Sequence, residues 1–469
     1  MLQRVLIEHA RSATLSDGAT EDELRGTIAA YFAAASVTSS ADAHLEYGDP
    51  TPEEWLVYLV KNGSYNARPP NLNEFTRMHE LFVELPARLV DHNHYCPIDS
   101  WFSDDYGLSA TEQHAVGFAL YILSGATDDI AGPDAARGVF APPFAGGPLA
   151  DRVEAISDLV SAPRQWYAQE FAASGADLDA IAWERAPFLR RPFLRLADGR
   201  WLLISPRTID SWLGEGFYYR ALESAQRRGQ ANRFFTFFGK LVETYCLDLT
   251  RSVYAGERPI GGGRVYGEQP FGPHRDKRTS DIVIDLGPDL ILIEVVSARF
   301  ATGVRVYGNP DVLATALERM LFKKMGQLGR VTASVLSGEA QIPEVDPAFI
   351  QRVWPVVVTG GDVMQTEFLW DRIDAELPPQ LSAARVQALT VLDIGDFELL
   401  LGLVHEGHHL PDVLDGKAQG PYRRLELARW MREVLHLPAP LKQRPPILEE
   451  RWEEIGRMVR DVLLIEATE

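Results

Sequence analysis

Cysteine is almost missing from this chain: only Cys96 and Cys246 occur in 469 residues, far apart in sequence. That excludes a disulfide framework and fits a reducing compartment, so a cytoplasmic location is expected. No stretch approaches the roughly 18 apolar residues of a membrane span, and no membrane partner is expected. The first residues, Met1 to His9, lack the apolar run of a secretory signal. Internal repeats and low-complexity tracts are absent too, which excludes solenoid and fibrous architectures. Basic residues are in deficit, 46 Lys and Arg against 66 Asp and Glu, for a net charge of −20. A chain so acidic is not a general polyanion binder.

What is present is ordinary globular composition, 46% hydrophobic and 24% charged, with ten Trp to anchor cores. The length predicts two or three domains. The charge is uneven. Residues 1–150 hold 21 Asp/Glu against 8 Lys/Arg, whereas residues 231–335 hold 14 Lys/Arg against 11 Asp/Glu. A locally basic island in an acidic protein suits a phosphate-bearing substrate. Acidic helices that merely aid solubility explain the first segment equally well.

The pattern divides the chain into a mainly helical domain over 1–185, an α/β core over 186–362 and a helical region over 363–469. Thr51 is expected to cap a helix from Pro52, and Ser109-Ala-Thr-Glu112 matches a capping box. The Gly/Pro/Ala-rich stretch 132–148 reads as loop. From Pro192 a hairpin is predicted over Phe193 to Ser205, then one long helix from Tyr218 to Leu249. A helix over Pro310 to Leu328 and a strand at Val353 to Thr359 follow. The core is therefore a mixed sheet flanked by helices.

Its most informative segment runs from Ser280 to Ser297. Ile282 and Ile284 alternate with Asp281, Val283 and Asp285, while Leu290 to Val296 is apolar except for Glu294. A buried strand does not carry a lone carboxylate unless the charge is paired or metal-bound. With a four-residue loop, Leu286 to Asp289, Asp281 faces Glu294 directly, at about 4.5–5.5 Å between Cβ atoms. A three-residue loop would send the two to opposite faces. Carboxylates that close need a cation between them.

Glu243 in Phe238-Gly-Lys-Leu-Val-Glu243, Asp281 opening a strand, and Glu294-Val-Val-Ser297 on the next strand together resemble the PD-(D/E)XK superfamily of restriction-endonuclease-like nucleases. The resemblance covers roughly residues 190–360, and its motif is short. It implies a restriction-endonuclease-like fold and a metal site of Glu243, Asp281 and Glu294 holding Mg²⁺ (or Mn²⁺). It also implies hydrolysis of nucleic-acid phosphodiesters, DNA more than RNA, in processing or defence against foreign DNA. Protein partners in a larger complex are a further expectation.

One departure stands out: Val296 occupies the position of the family's lysine. The helix over 310–328 offers a substitute. At 100° per residue, Leu313, Leu317, Met320, Leu321 and Leu328 form one apolar stripe with Lys324 near its centre, Gln327 at its margin and Lys323 further out. Relocation of the lysine to this helix occurs in the superfamily, so Lys324 and Gln327 join the candidate catalytic set. The plainer alternative is that Lys324 snorkels to water. Arg275, Lys277, Arg278 and Lys323 are candidate nucleic-acid contacts, or simply a solvated surface. A catalytically inactive scaffold on the same fold is the alternative function.

Two rival metal motifs remain. His405-Glu406-Gly-His-His409 fits HExxH, with Glu426 as a conceivable third ligand, but Gly407 and Leu410-Pro411 favour a helix-ending loop over a zinc peptidase. Asp91-His92-Asn-His94-Tyr-Cys96 lacks a second ligand pair for structural zinc. Gly261-Gly-Gly263 lacks the residues of a phosphate loop and reads as a hairpin turn.

Overall fold

A computed structural model describes residues 72–124, 139–140, 144, 148–174, 186–204, 206–255, 262–300, 309–361, 365–437 and 444–463. The protein is mixed α/β. Among the described residues, one compact unit runs to Phe234 and resumes at Trp452, and the other runs from Phe235 to Arg451. The helix expected from Pro52 and most of the 132–148 loop lie outside the described residues.

The first unit opens with α1 (Leu72–His79), which continues through a π-helical turn, Glu80–Glu84. Helices α2 (Ile98–Tyr106) and α3 (Ala110–Ser124) follow. The capping box forms as expected: Ser109 N donates to Glu112 Oε2 at 2.8 Å, and Glu112 N donates to Ser109 Oγ at 3.1 Å. Strands β1 (Val139–Phe140), β2 (Ser161–Ala162), β3 (Phe193–Arg195) and β4 (Trp201–Leu203) make a small sheet in the order β1-β4-β3-β2. Helices α4 (Pro206–Leu213) and α5 (Glu215–Arg227) complete the run, with Phe82, Phe102 and Trp212 grouped around Phe217. The long helix expected from Tyr218 is therefore broken. Gly229, at φ 67°, takes the left-handed conformation that ends α5, and Gln230 N bonds back to Ala225 O at 2.7 Å.

The second unit contains most of α6 (Ala231–Tyr254) and then β5 (Arg264–Gly267), β6 (Pro270–Phe271), β7 (Lys277–Arg278), β8 (Ile282–Asp285) and β9 (Asp289–Val296). Helix α7 (Pro310–Leu317), a π-helical turn (Glu318–Phe322) and α8 (Lys323–Leu336) lead to β10 (Arg352–Thr359) and β11 (Thr390–Asp393). Helices α9 (Ile394–His405) and α10 (Leu410–Ala418) come next, and α11 (Pro446–Leu463), which belongs to the first unit from Trp452 on, closes the described chain. The main sheet has the order β11-β10-β9-β8-β5. β5, β8 and β9 are antiparallel neighbours, and β9, β10 and β11 run parallel. β9 is thus central and buried on both faces, as its Leu/Ile/Val run requires. Each such side chain contributes about 1.5–3 kcal/mol on burial.

Three boundaries differ from expectation. The hairpin β3–β4 and helices α4 and α5 belong to the first unit, because β1 and β2 are the strands that flank them. The region after 363 is not wholly helical: β11, only four residues long, adds the fifth strand. Gly262 and Gly263 lead into β5, whose partner β8 comes later in the chain, so among the described residues they do not turn a hairpin; Gly261 lies outside the described residues.

Replacing Ser109 by Ala removes one of the two reciprocal cap bonds of α3. A loss of about 1 kcal/mol is expected in chemical denaturation of the first unit, and an unchanged midpoint would show that the cap is idle.

Candidate active site

Hairpin β8–β9 sets the geometry. Leu286 N bonds to Asp289 O at 2.9 Å, closing the four-residue turn, and Ile282 pairs with Ile293, Val283 with Leu292 and Asp285 with Leu290. Continued by one residue, this register sets Asp281 opposite Glu294, as the even loop requires. Asp281 Oδ2 accepts the Val295 backbone N–H at 2.7 Å, which fixes the carboxylate against the neighbouring strand. Glu294 has no solvent exposure.

The cation between them is Lys324. Its Nζ lies 3.2 Å from Asp281 Oδ2 and 2.9 Å from Glu294 Oε2. The lysine is turned inward, although not from the centre of the apolar stripe. The extra residue of the Glu318–Phe322 π-turn shifts the buried face, so that Phe322 and Met325 join it and Lys324 stands at its edge. From there the four-carbon stem reaches the carboxylates.

Charge and burial act on all three groups. Burial first, then the Asp281 charge, pushes the Glu294 carboxyl up to about 8 against the pull of Lys324. Burial alone would lower the Lys324 ammonium, but Glu294 and Asp281 outweigh it and hold the lysine cationic well above its usual range. Glu243, one face of α6, is partly exposed and is raised by burial and by Asp281, with Lys240 and Lys324 opposing. Lys240 Nζ lies 3.5 Å from its Oε2.

Glu243 thus belongs to the same electrostatic cluster but stands further off. The three carboxylates do not all close to within 4.8 Å of one another, a spacing met among the described residues by His79, Glu84 and Glu454. No sequence motif marked that second trio. Gln327, one turn beyond Lys324, is half-buried and makes no hydrogen bond to the carboxylates. Of the basic candidates, Arg275 and Lys323 are exposed, Lys277 is ion-paired with Glu339, and Arg278 lies 4.0 Å from Glu268. Arg275 takes φ 55° in the turn between β6 and β7.

One atom fits an oxygen-seeking cation. Oε1 of Glu294 is buried and meets no donor in good hydrogen-bond geometry, although the nearby Ser280 hydroxyl favours its charged form, a costly state for a carboxylate oxygen. Asp281, Glu294 and Glu243 offer only oxygen donors, the set Mg²⁺ or Mn²⁺ prefers.

The rival motifs fail on geometry. Helix α9 ends at His405, Gly407 turns at φ 100°, and α10 starts at Leu410. His405 and His409 therefore do not lie one turn apart on a helix, and His409 faces Asp412 at 3.4 Å. Cys96 is buried, its thiol pushed up to about 11 by desolvation, with Sγ 3.5 Å from the His94 carbonyl. A thiol held protonated is a poor metal ligand.

Compared with family models, curated proteins and solved structures, the chain matches none. Among the described residues no helix is long and apolar enough to cross a membrane.

The raised Glu294 carboxyl makes stability depend on pH. Between its ordinary 4.5 and about 8, the folded chain holds a proton that the unfolded chain has lost. This contribution is complete below about 4.5 and is lost as pH rises through about 8. Relative to Glu294→Gln, the wild-type thermal midpoint should fall between pH 5 and 8.5; parallel profiles would mean that Glu294 ionises normally.

Proposed function

We propose that the protein is a metal-dependent nuclease with a restriction-endonuclease-like core, its lysine moved from the strand to the following helix. The observation that carries this is the Lys324 ammonium shared by Asp281 and Glu294 on adjacent strands, at 3.2 and 2.9 Å. The supporting order is helix α6 with Glu243, an antiparallel β5-β8-β9 group, helices α7 and α8, and parallel β10.

Asp281 and Glu294 would hold Mg²⁺ or Mn²⁺, with Glu243 acting through a water, since Mg²⁺ keeps several. When bound, such an ion lowers the pKa of a water and neutralises charge growing on a phosphodiester. The chain's own groups do the rest. Lys324 supplies a fixed positive charge where the phosphate's charge develops, in a site largely shut off from water. Asp281, held by the Val295 N–H, keeps that ammonium in place. Lys323 and Arg275, both exposed, are suited to backbone phosphates, with DNA the preferred substrate and defence against foreign DNA the proposed setting.

A second reading draws on the same contact. With Glu294 holding its proton, the Lys324 ammonium balances Asp281 without any metal, as a scaffold lacking catalysis would need.

Cleavage assays separate the two. DNA or RNA should be cut with Mg²⁺ or Mn²⁺, and Asp281→Ala or Glu294→Ala should abolish the activity. Lys324→Ala should lower it about 10²–10³-fold while calorimetry still records metal binding. Metal affinity should also climb with pH up to about 8, because the ion displaces the proton on Glu294. Absence of both cleavage and metal binding would establish the scaffold.

A further inference from the structure

In the first unit two carboxylates converge on one buried imidazole. His79 ends α1 and is 1% exposed; its Nε2 lies 3.7 Å from Glu84 Oε1 and 3.9 Å from Glu454 Oε2. The three ligand atoms all fall within 4.8 Å of one another. Glu84 follows His79 by five residues, which on a regular α-helix is well round the opposite flank. The π-turn Glu80–Glu84, closed by Leu85 N–H to Glu80 O, supplies the wider turn that returns Glu84 to the face of His79. Glu454 comes from α11.

The spacing suits a shared ion. With metal–ligand bonds of about 2.0–2.2 Å, a tetrahedral site has ligand–ligand edges near 3.4 Å; the two edges from His79 are a few tenths longer, and the carboxylate–carboxylate edge lies within 4.8 Å. Glu84 and Glu454 are each about one-third exposed, so an ion there keeps access to solvent.

A second imidazole packs against that of His79. His114 is fully buried, with its ring centroid 5.0 Å from that of His79. Its Nε2 is 3.0 Å from the Phe75 carbonyl oxygen, which can only accept, so Nε2 carries the proton. Nδ1 keeps a lone pair and has no partner.

We infer that His79, Glu84 and Glu454 form a binding site for a first-row divalent metal of the Zn²⁺ class. Imidazole nitrogen mixed with carboxylate oxygen selects Zn²⁺ over Mg²⁺. The site is independent of Asp281 and Glu294, and the ion would tie α11 to the π-turn after α1.

The test uses the full chain carrying Glu294→Gln, which weakens the other candidate cation site, stripped with EDTA and titrated with Zn²⁺ by calorimetry. One equivalent should bind, and saturation should raise the thermal midpoint by several degrees. Adding Glu454→Gln or Glu84→Gln should weaken binding by about 100-fold or more and remove the thermal shift. His79→Ala should do the same; should it fail to fold, the partly exposed Glu454 carries the test. Zn²⁺ affinity unchanged in Glu454→Gln, or no Zn²⁺ bound by the parent, would overturn the site and leave an imidazolium paired with two carboxylates.

Discussion

A carboxyl on the central strand of a five-stranded sheet is tolerable only with a cation beside it or a proton on it, and the second unit is arranged to supply both. Glu294 is wholly buried, and burying it ionised and alone would cost several kcal/mol. The Lys324 ammonium meets that demand, and Asp281 shares it from the neighbouring strand. The contact ties three separate features together. The β8–β9 register must be right, since a slip of one residue turns Asp281 to the opposite face. The loop must hold four residues. The helix after β9 must present residue 324, and neither 323 nor 325, to the sheet. Lys323, a residue earlier, is exposed, and Met325, a residue later, is fully buried among apolar neighbours.

These features explain what could be read from the residues alone. The hairpin register follows once the loop is even, because period-two alternation leaves no intermediate registers, but the residues left four- and three-residue loops both open, and the Leu286 to Asp289 bond decides it. The inward lysine followed from helical periodicity, but its place at the stripe's edge did not. A π-turn leaves no signature in Glu318-Arg-Met-Leu-Phe322. Strand β11 was hidden because Thr-Val-Leu-Asp is too short to show alternation and runs straight into the helix that Asp393 caps. The break at Gly229 was visible in principle, since Gly just past a periodic segment is the common helix stop. The allocation of β3 and β4 was not, because strand partners distant in sequence leave no local mark.

The trio in the first unit escaped sequence reading for related reasons. Two of its members are five residues apart, a spacing that an α-helical template rejects, and the third comes from a helix near the end of the chain. The sequence pointed instead to HExxH at His405, where the letters fit and the backbone does not: α9 stops at the first histidine. A motif has chemical meaning only on the backbone that brings its side chains together. HExxH needs a continuous helix and here has a left-handed glycine in its middle.

The two candidate sites share a device. Each lies at or just after a π-helical turn, Glu80–Glu84 with Glu84 as its last residue and Glu318–Phe322 immediately before Lys323 and Lys324. Such turns are rare and frequently sit at functional sites; a third in this chain, Met431–Leu435, borders neither candidate site. At the two candidate sites the turn moves a charged side chain relative to the apolar stripe of its helix. At Lys324 the shift leaves the stem half-buried at the border of the core, where the ammonium meets two carboxylates and still has a route to solvent. A lysine at the centre of the stripe would be sealed in. One at the opposite flank would never touch the acids. With Glu294 holding its proton, the edge position lets one ammonium balance Asp281 and still keep a route to solvent, which neither of the other two placements on the helix would allow.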